Sequence, residues 1–233
     1  MTPILKVITE YCAVYVDDIN LSDLQTADAP LYARRMWQYL NAAIPLFTLP
    51  AEMGEYLCGT AENPKLTEPR YDSATVTLSE ETGTVTLGDE YKGYDICAGR
   101  IRRESIIGDV CLTPIAVSYD AETATVSFDT LPAGTVIEFD FYADGNFAET
   151  LSGDVMSILG ICFQLVWTDR FSTDWLSNVS KVEDKSFTEQ NRANKMRADT
   201  ERLNAIRHKL AGEMRRYEQN LYYKSAVKTK LKI

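Results

Sequence analysis

Asp140, Asp144 and Gly145 stand in the order D-x-x-x-D-G within IEFDFYADGNF, residues 137–147, which is how a calcium loop begins. A loop counted from Asp140 needs an oxygen ligand at its third position and a bidentate carboxylate at its twelfth, because Ca²⁺ collects about six to eight oxygens. The chain puts Tyr142 and Leu151 there. Ile137, Phe139 and Phe141 alternate instead with Glu138 and Asp140, the period of a half-buried strand, and Asp144-Gly145 is a turn pair that stops it. The other chemistry-bearing types are sparse. Cys12, Cys58, Cys97, Cys111 and Cys162 are scattered singly, with no C-x-x-C, and His208 is the one histidine, set between Arg207 and Lys209. Zinc needs clustered thiolates or imidazoles, so no metal site is assigned. No Ser-His or Cys-His pair is available, and the phosphate-loop, dinucleotide and H-E-x-x-H patterns are all missing. The first 180 residues hold 27 Asp and Glu, some of which could approach at a glycosidase spacing, but the sequence singles out no such pair. The expectation is a protein that is not an enzyme, with no catalytic residue, no metal and no cofactor.

What, then, do these residues sit on? From residue 1 to about 60 the pattern is helical. Ile4, Ile8, Tyr11, Cys12 and Tyr15 fall at helical spacing. Asp28 is a predicted N-cap with Pro30 in the first turn, where its missing N–H costs nothing. Ala33, Met36, Trp37, Leu40, Ala43, Ile44 and Phe47 then make one apolar stripe that Pro45 interrupts.

Residues 71 to about 145 change to period two. Two similar segments, VTLSEETGTVTL (76–87) and VSYDAETATVSF (117–128), each read as strand, tight turn, strand. Ser79 or Asp120 can close the turn through its own side chain, and Gly83 supplies a left-handed position in the first copy, a role for which Ala124 does not fit. With DICAGRIRR, SIIGDVCLT and VIEFDFY this makes about seven short strands.

After residue 150 the helical period returns. VMSILGICFQLVW (155–167) is apolar on every side and too short to span a bilayer, so it predicts a buried helix. Ser186 and Glu189 form a capping box that opens a long helix to about Tyr223. Leu203, Ile206, Leu210, Met214, Tyr217 and Leu221 line one side of it at spacings near three and four. A helix that long outruns a small domain, so this stripe either meets another subunit or packs back on the N-terminal helices. The last residues, Val227, Lys228, Thr229, Lys230, Leu231, Lys232 and Ile233, alternate as a strand would, an arm suited to the sheet edge of a neighbour.

The reading is an α+β fold: helical N- and C-terminal segments packed as a bundle with a central small antiparallel β-sandwich or barrel. The expected boundaries are 1–66 for the N-terminal helices, 67–147 for the β-domain, 148–224 for the C-terminal helices and 225–233 for the arm. Charge divides unevenly along this plan. Residues 181–233 carry 14 basic and 7 acidic side chains, a net of +7, whereas residues 1–180 carry 10 and 27, a net of −17. A basic arm on an acidic body points to an anionic partner, either nucleic acid or an acidic protein surface. The N-terminal MTPILKVITEYCAVYV lacks the pattern of a secretory signal, and no membrane association is expected.

The order of helices, β-domain, basic helix and lysine-alternating tail resembles virion proteins of tailed bacteriophages. FDFYADGNF, ILGICFQLVWTDRF and DKSFTEQNRANKMRADTERLNAIRHKLAGEMRRYEQN look like the small neck or tail proteins of phages infecting gut bacteria. The resemblance covers the C-terminal half best and lies in texture and element order. Among such proteins the head-to-tail adaptors are similar in size. The resemblance implies a homo-oligomeric ring, often of twelve copies, in a virion assembled in the host bacterial cytoplasm. It implies a C-terminal extension that engages the portal, contact with other neck and tail proteins, and incidental passage of DNA. The β-domain departs from the all-helical adaptor pattern and leaves a tail or baseplate role open. The alternative is a β-sandwich binding module that recognises carbohydrate or a host surface with Tyr91, Tyr94 and Tyr119.

Overall fold

The computed structural model of the protein describes residues 1–16, 21, 23–25, 28–104, 110–179 and 185–230; the side chains of 29, 104, 171–195 and 225–230 lie outside that description. The chain divides into two compact units, Met1–Thr67 with Asn146–Ile233, and Glu68–Gly145. In the helical unit, β1 (Thr2–Pro3) leads into α1 (Ile4–Val7), which widens into a π-helical turn over Ile8–Cys12 and tightens to a 3-10 turn over Ala13–Tyr15. The Thr9 hydroxyl donates to the Leu5 carbonyl at 2.9 Å, competing with the backbone for that acceptor at the place where the helix loosens. Ile4, Ile8 and Cys12 are fully buried, as their spacing predicts.

Helix α2 (Ala29–Ala43) starts as expected, with the Leu31 N–H donating to the Asp28 carboxylate at 3.0 Å and Pro30 in the first turn. A 3-10 turn over Ile44–Leu46 accommodates Pro45. Ala33, Met36, Leu40, Ala43, Ile44 and Phe47 are all buried; α3 (Met53–Cys58) adds Met53 and Leu57.

The predicted apolar helix is α4 (Gly153–Val179), and Val155, Met156, Ile158, Leu159, Ile161, Cys162, Phe163 and Trp167 all lie in the core. Gly160 lets it approach the π-helical turn. A Cβ there would come within 2.6 Å of the Tyr11 carbonyl oxygen. Helix α5 runs from Lys185 to Lys230, 46 residues or about 69 Å of axis at ~1.5 Å per residue. It starts one residue before the expected cap, and the side chains of Ser186 and Glu189 lie outside the described residues. Its C-terminal end corrects the strand expected over 227–233. Residues 227–230 continue the helix, and 231–233 lie outside the described residues. An established helix extends at the cost of one residue per hydrogen bond, and lysines near its C-terminus suit its dipole. A short alternation that pairs with no strand among the described residues has nothing comparable to offer.

The second unit contains seven strands among the described residues: β3 (Arg70–Thr77), β4 (Thr82–Thr86), β5 (Asp95–Glu104), β6 (Val110–Ile115), β7 (Val117–Asp120), β8 (Thr125–Leu131) and β9 (Val136–Ala143). They form two antiparallel sheets, ordered β3-β9-β5-β6 and β4-β8-β7. Ala74, Ile137, Phe139 and Phe141 from the first sheet share one hydrophobic cluster with Val126 from the second. Both sheets are open, so no barrel closes among the described residues. At Gly99 the two sheets come close, since a Cβ there would meet the Val117 side chain at 2.5 Å.

Of the two expected hairpins only the second exists. β7 pairs with β8, and the Asp120 carboxylate accepts the Glu122 N–H at 3.0 Å and the Thr123 hydroxyl at 2.8 Å. In the first copy β3 pairs with β9 and β4 with β8, so the segment crosses from one sheet to the other. Gly83 sits within β4 at a register shift, where a Cβ would lie 2.9 Å from the Phe128 carbonyl oxygen; its role is close approach, and no left-handed turn is needed there. Ala124 takes the left-handed position instead, at φ 54°, fully buried, with its carbonyl accepting the Leu87 N–H at 2.9 Å. The D-x-x-x-D-G segment is the end of β9, and Tyr142 donates its hydroxyl proton to the Asp144 carboxylate. β10 (Asn146–Phe147) then returns to the helical unit, where it pairs with β1 on one side and β2 (Leu66–Thr67) on the other.

Candidate interaction surface

Along α5 the apolar stripe has two fates. Leu203, Ile206, Leu210 and Met214 are all less than a tenth exposed. Ile206, Leu210 and Met214 belong to the same core as Ile4, Met36 and Leu159. Tyr217 is half-buried against that core, its ring 6.2 Å from Phe47. Of the two outcomes the spacing allowed, this part of the stripe packs back, so it is corrected as a subunit surface: its side chains are already covered within the chain. The stripe then leaves its support. Leu221 is 39% exposed, Tyr222 73% and Tyr223 67%, while the helix runs on for seven more residues.

A cleft of about 320 Å³ opens between the first turns of α4 and the middle of α5. Asp154 and Glu213 face Lys209 and Arg216 there, beside Tyr15 and Tyr217. Arg216 donates toward Glu213 at 3.4 Å, and the Lys209 ammonium lies 5.9 Å from the centre of the Tyr15 ring. Burial raises the Tyr217 phenol above its ordinary range, with Tyr56 adding to it, while a hydrogen bond to Ser152 works the other way. Two charges of each sign line this cleft, with Arg216 and Glu213 paired, so it carries no net excess to hold an ion. No group of three or more His, Cys, Asp or Glu among the described residues is placed to hold a metal. No helix in the described part is long and apolar enough to cross a membrane.

The tyrosines a carbohydrate platform would need are turned to other uses. Tyr94 is 6% exposed. Tyr91 and Tyr119 pack their rings 4.9 and 5.2 Å from Phe141. The Tyr119 hydroxyl donates to the Tyr91 carbonyl at 2.6 Å. They form one edge of the β core and no open aromatic face. His208 is exposed on α5, as its neighbours predict. Arg202, Arg207, Arg215 and Arg216 are exposed too, but pairs such as Arg197–Glu201 at 3.2 Å mix the charge along the helix.

Sequence reasoning missed one surface. β6 is an edge strand whose residues Val110–Pro114 are all exposed, Val110 at 48% and Leu112 at 41%. VCLTPI gave a signal, a strand without a charge, but whether a strand lies at an edge is decided by pairing that spacing does not carry.

The sequence matches no known protein family and no curated protein. Among solved structures, one described as the neck of an empty GTA particle computed with C6 symmetry matches with a TM-score of 0.26 and 19% identity, over 57% of this chain and 65% of the other. This chain therefore spans less than two thirds of that one, and the likeness is too slight to assign a fold or a role.

Proposed function

We propose that the chain is a structural virion protein, a subunit of an oligomeric ring in the neck of a tailed bacteriophage that acts as head-to-tail adaptor and docks on the portal. The observation that carries this reading is the C-terminal end of α5, where Leu221, Tyr222 and Tyr223 stand exposed on a helix whose middle is buried in the chain's own core. Large aromatic side chains held exposed on a helix are the residue types that anchor protein contacts. Lys224, Lys228, Lys230 and Lys232 follow with no acidic residue after Glu218.

A ring subunit needs two different faces, because head-to-tail contacts are heterologous. A basic arm and an acidic body supply them, with an attraction that salt weakens. An acidic lumen wall would also let DNA slide past without holding it. The resemblance in element order to phage neck and tail proteins supports the same placement, in a virion assembled in the host cytoplasm. The role is scaffolding, without catalysis or cofactor. The test is a native mass measurement of the chain alone and mixed with the portal of its own phage, on intact protein and on a variant lacking residues 225–233. The deletion is expected to abolish portal binding and to lower the helical circular dichroism by no more than the six helical residues, 225–230, that it removes. Undiminished binding by the deletion variant would refute the arm.

A further inference from the structure

We infer that the exposed turn of α5 around Leu221, Tyr222 and Tyr223 in one copy docks on the open β6 edge in a second copy of this chain. The inference rests on the ring reading and names the contact that would build it.

Large exposed hydrophobic side chains among the described residues gather at few places, and two of these are groups on regular elements: Val110 and Leu112 on β6, and Leu221, Tyr222 and Tyr223 on α5. Both groups stay exposed within the single chain, so the chain does not cover either for itself. β6 lacks the usual protections of an edge, a lysine or an inward charge; only Pro114 interrupts its run of donors. The register with β5 sets Leu112 opposite Arg102 and Pro114 opposite Arg100. Those two arginines are tied to Glu138 at 3.1 Å and Asp140 at 2.5 Å across β9, which neutralises them as local positive charge.

Charge decides which surface meets which. Residues 68–145 hold 15 acidic and 5 basic side chains, a net of −10, whereas the chain after Glu218 holds four lysines and no acid. Pairing β6 with a second β6 would set −10 against −10, and pairing two helix ends would set lysines against lysines. Pairing one of each joins apolar to apolar and brings the lysine-bearing helix to the unit that carries the acidic excess. The contact is then heterologous, and repetition leads to a closed ring or a filament according to the angle it imposes. The aromatic pair, with ring centres 6.3 Å apart, supplies the anchors, and the lysines supply the steering.

Cys111 on β6 and Lys224 on α5 are both exposed, so the intact protein carries its own chemical probes. Isotopically heavy and light chains are mixed at low salt, treated with a short amine-to-thiol cross-linker and mapped by mass spectrometry. The expected product joins Cys111 of one copy to Lys224 of another in heavy–light pairs. It is lost in about 1 M salt, where screening acts beyond roughly 3 Å. Leu112→Lys, which removes the apolar anchor and repels the lysines, or Tyr222→Ser with Tyr223→Ser, lowers its yield about tenfold or more, each change lying on an exposed surface. Self-association without this link overturns the inference, as does a link found only within single copies, or no association at all. Portal binding is measured alongside. If it persists while the link is absent, the ring reading stands and this contact falls; if both are absent, both fall.

Discussion

Gly160 and Gly212 offer one substitution with opposite expected signs. Both are helical glycines, and replacing either with alanine removes backbone freedom from the unfolded chain and improves helix propensity by about 1 kcal/mol. At Gly212 in α5 a Cβ would meet nothing within 4 Å, so Gly212→Ala keeps the whole gain. At Gly160 in α4 the same atom would lie 2.6 Å from the Tyr11 carbonyl oxygen, 3.3 Å from its carbonyl carbon and 3.2 Å from Tyr15 Cε2. Ordinary contact needs roughly 3.5 Å, so the π-helical turn would have to retreat by about 0.9 Å. Overpacking of that kind costs about 1–3 kcal/mol, and after the propensity gain Gly160→Ala is left about 1 kcal/mol less stable than wild type, and at most about 2. The two variants should therefore differ by the overpacking cost alone, about 1–3 kcal/mol, read as shifts of the urea midpoint followed by far-UV circular dichroism, which reports chiefly on the helical unit. A Gly160→Ala midpoint at or above wild type would show that the close approach of α4 to the N-terminal turn is not tight. A lower midpoint for Gly212→Ala would show that α5 is not continuous there.

The two halves of the α5 stripe predict a second contrast: Leu210→Ala costs about 2–4 kcal/mol in the same titration, whereas Leu221→Ala changes stability by less than about 1. Equal costs would mean the stripe is covered along its whole length. The buried thiols predict a pH dependence. Burial, and then Cys162 beside it, holds the Cys12 thiol well above its ordinary range, and burial pushes Cys162 up to about 12; Tyr32 is pushed to about 12 by burial first and Cys12 second. The unfolded chain releases such protons from about pH 8.5 for thiols and about pH 10 for phenols, while the folded chain keeps them. Stability is thus full below about pH 8.5 and falls as pH rises toward about 12; a urea midpoint that climbs over that range contradicts the buried placement. Thiol labelling at neutral pH should reach Cys111 long before Cys12 or Cys162, and equal rates would count against the same placement.

Local signals were legible in the sequence. The Asp28 cap, the apolar α4, the α2 stripe and the strand running through Phe139 each depend on residues a few positions apart, and the fold keeps them all. What escaped was set by partners distant in the chain. VTLSEETGTVTL looks like a hairpin because strand and turn residues alternate correctly, yet Val76 pairs with Ile137 and Val85 with Val126, neighbours that no local pattern names. Ala124 holds a left-handed φ because its turn is closed by Asp120 and its carbonyl is used by Leu87, context that outweighs alanine's own preference. The candidate surface divides the same way. Periodicity placed Leu203 through Leu221 on one side of a helix, but which of them found cover depended on how far α4 and the N-terminal turns reach along it. The β6 edge was invisible for the same reason.

Thr67 and Asn146 face each other directly in the β2–β10 pair, so the chain leaves for residues 68–145 and comes back at almost the same point. The β unit is in this respect a cassette. Excising it and joining Thr67 to Asn146 through a two-residue Asn-Gly turn would convert the β2–β10 pair into an ordinary hairpin. The same geometry makes that junction a natural place for lineages to gain, lose or exchange the insert without redesigning the helices. Until the ribosome has passed Leu151, however, Thr2 lacks the Leu151 N–H that donates to its hydroxyl at 2.8 Å, and the N-terminal helices must wait for the half of their core that arrives last.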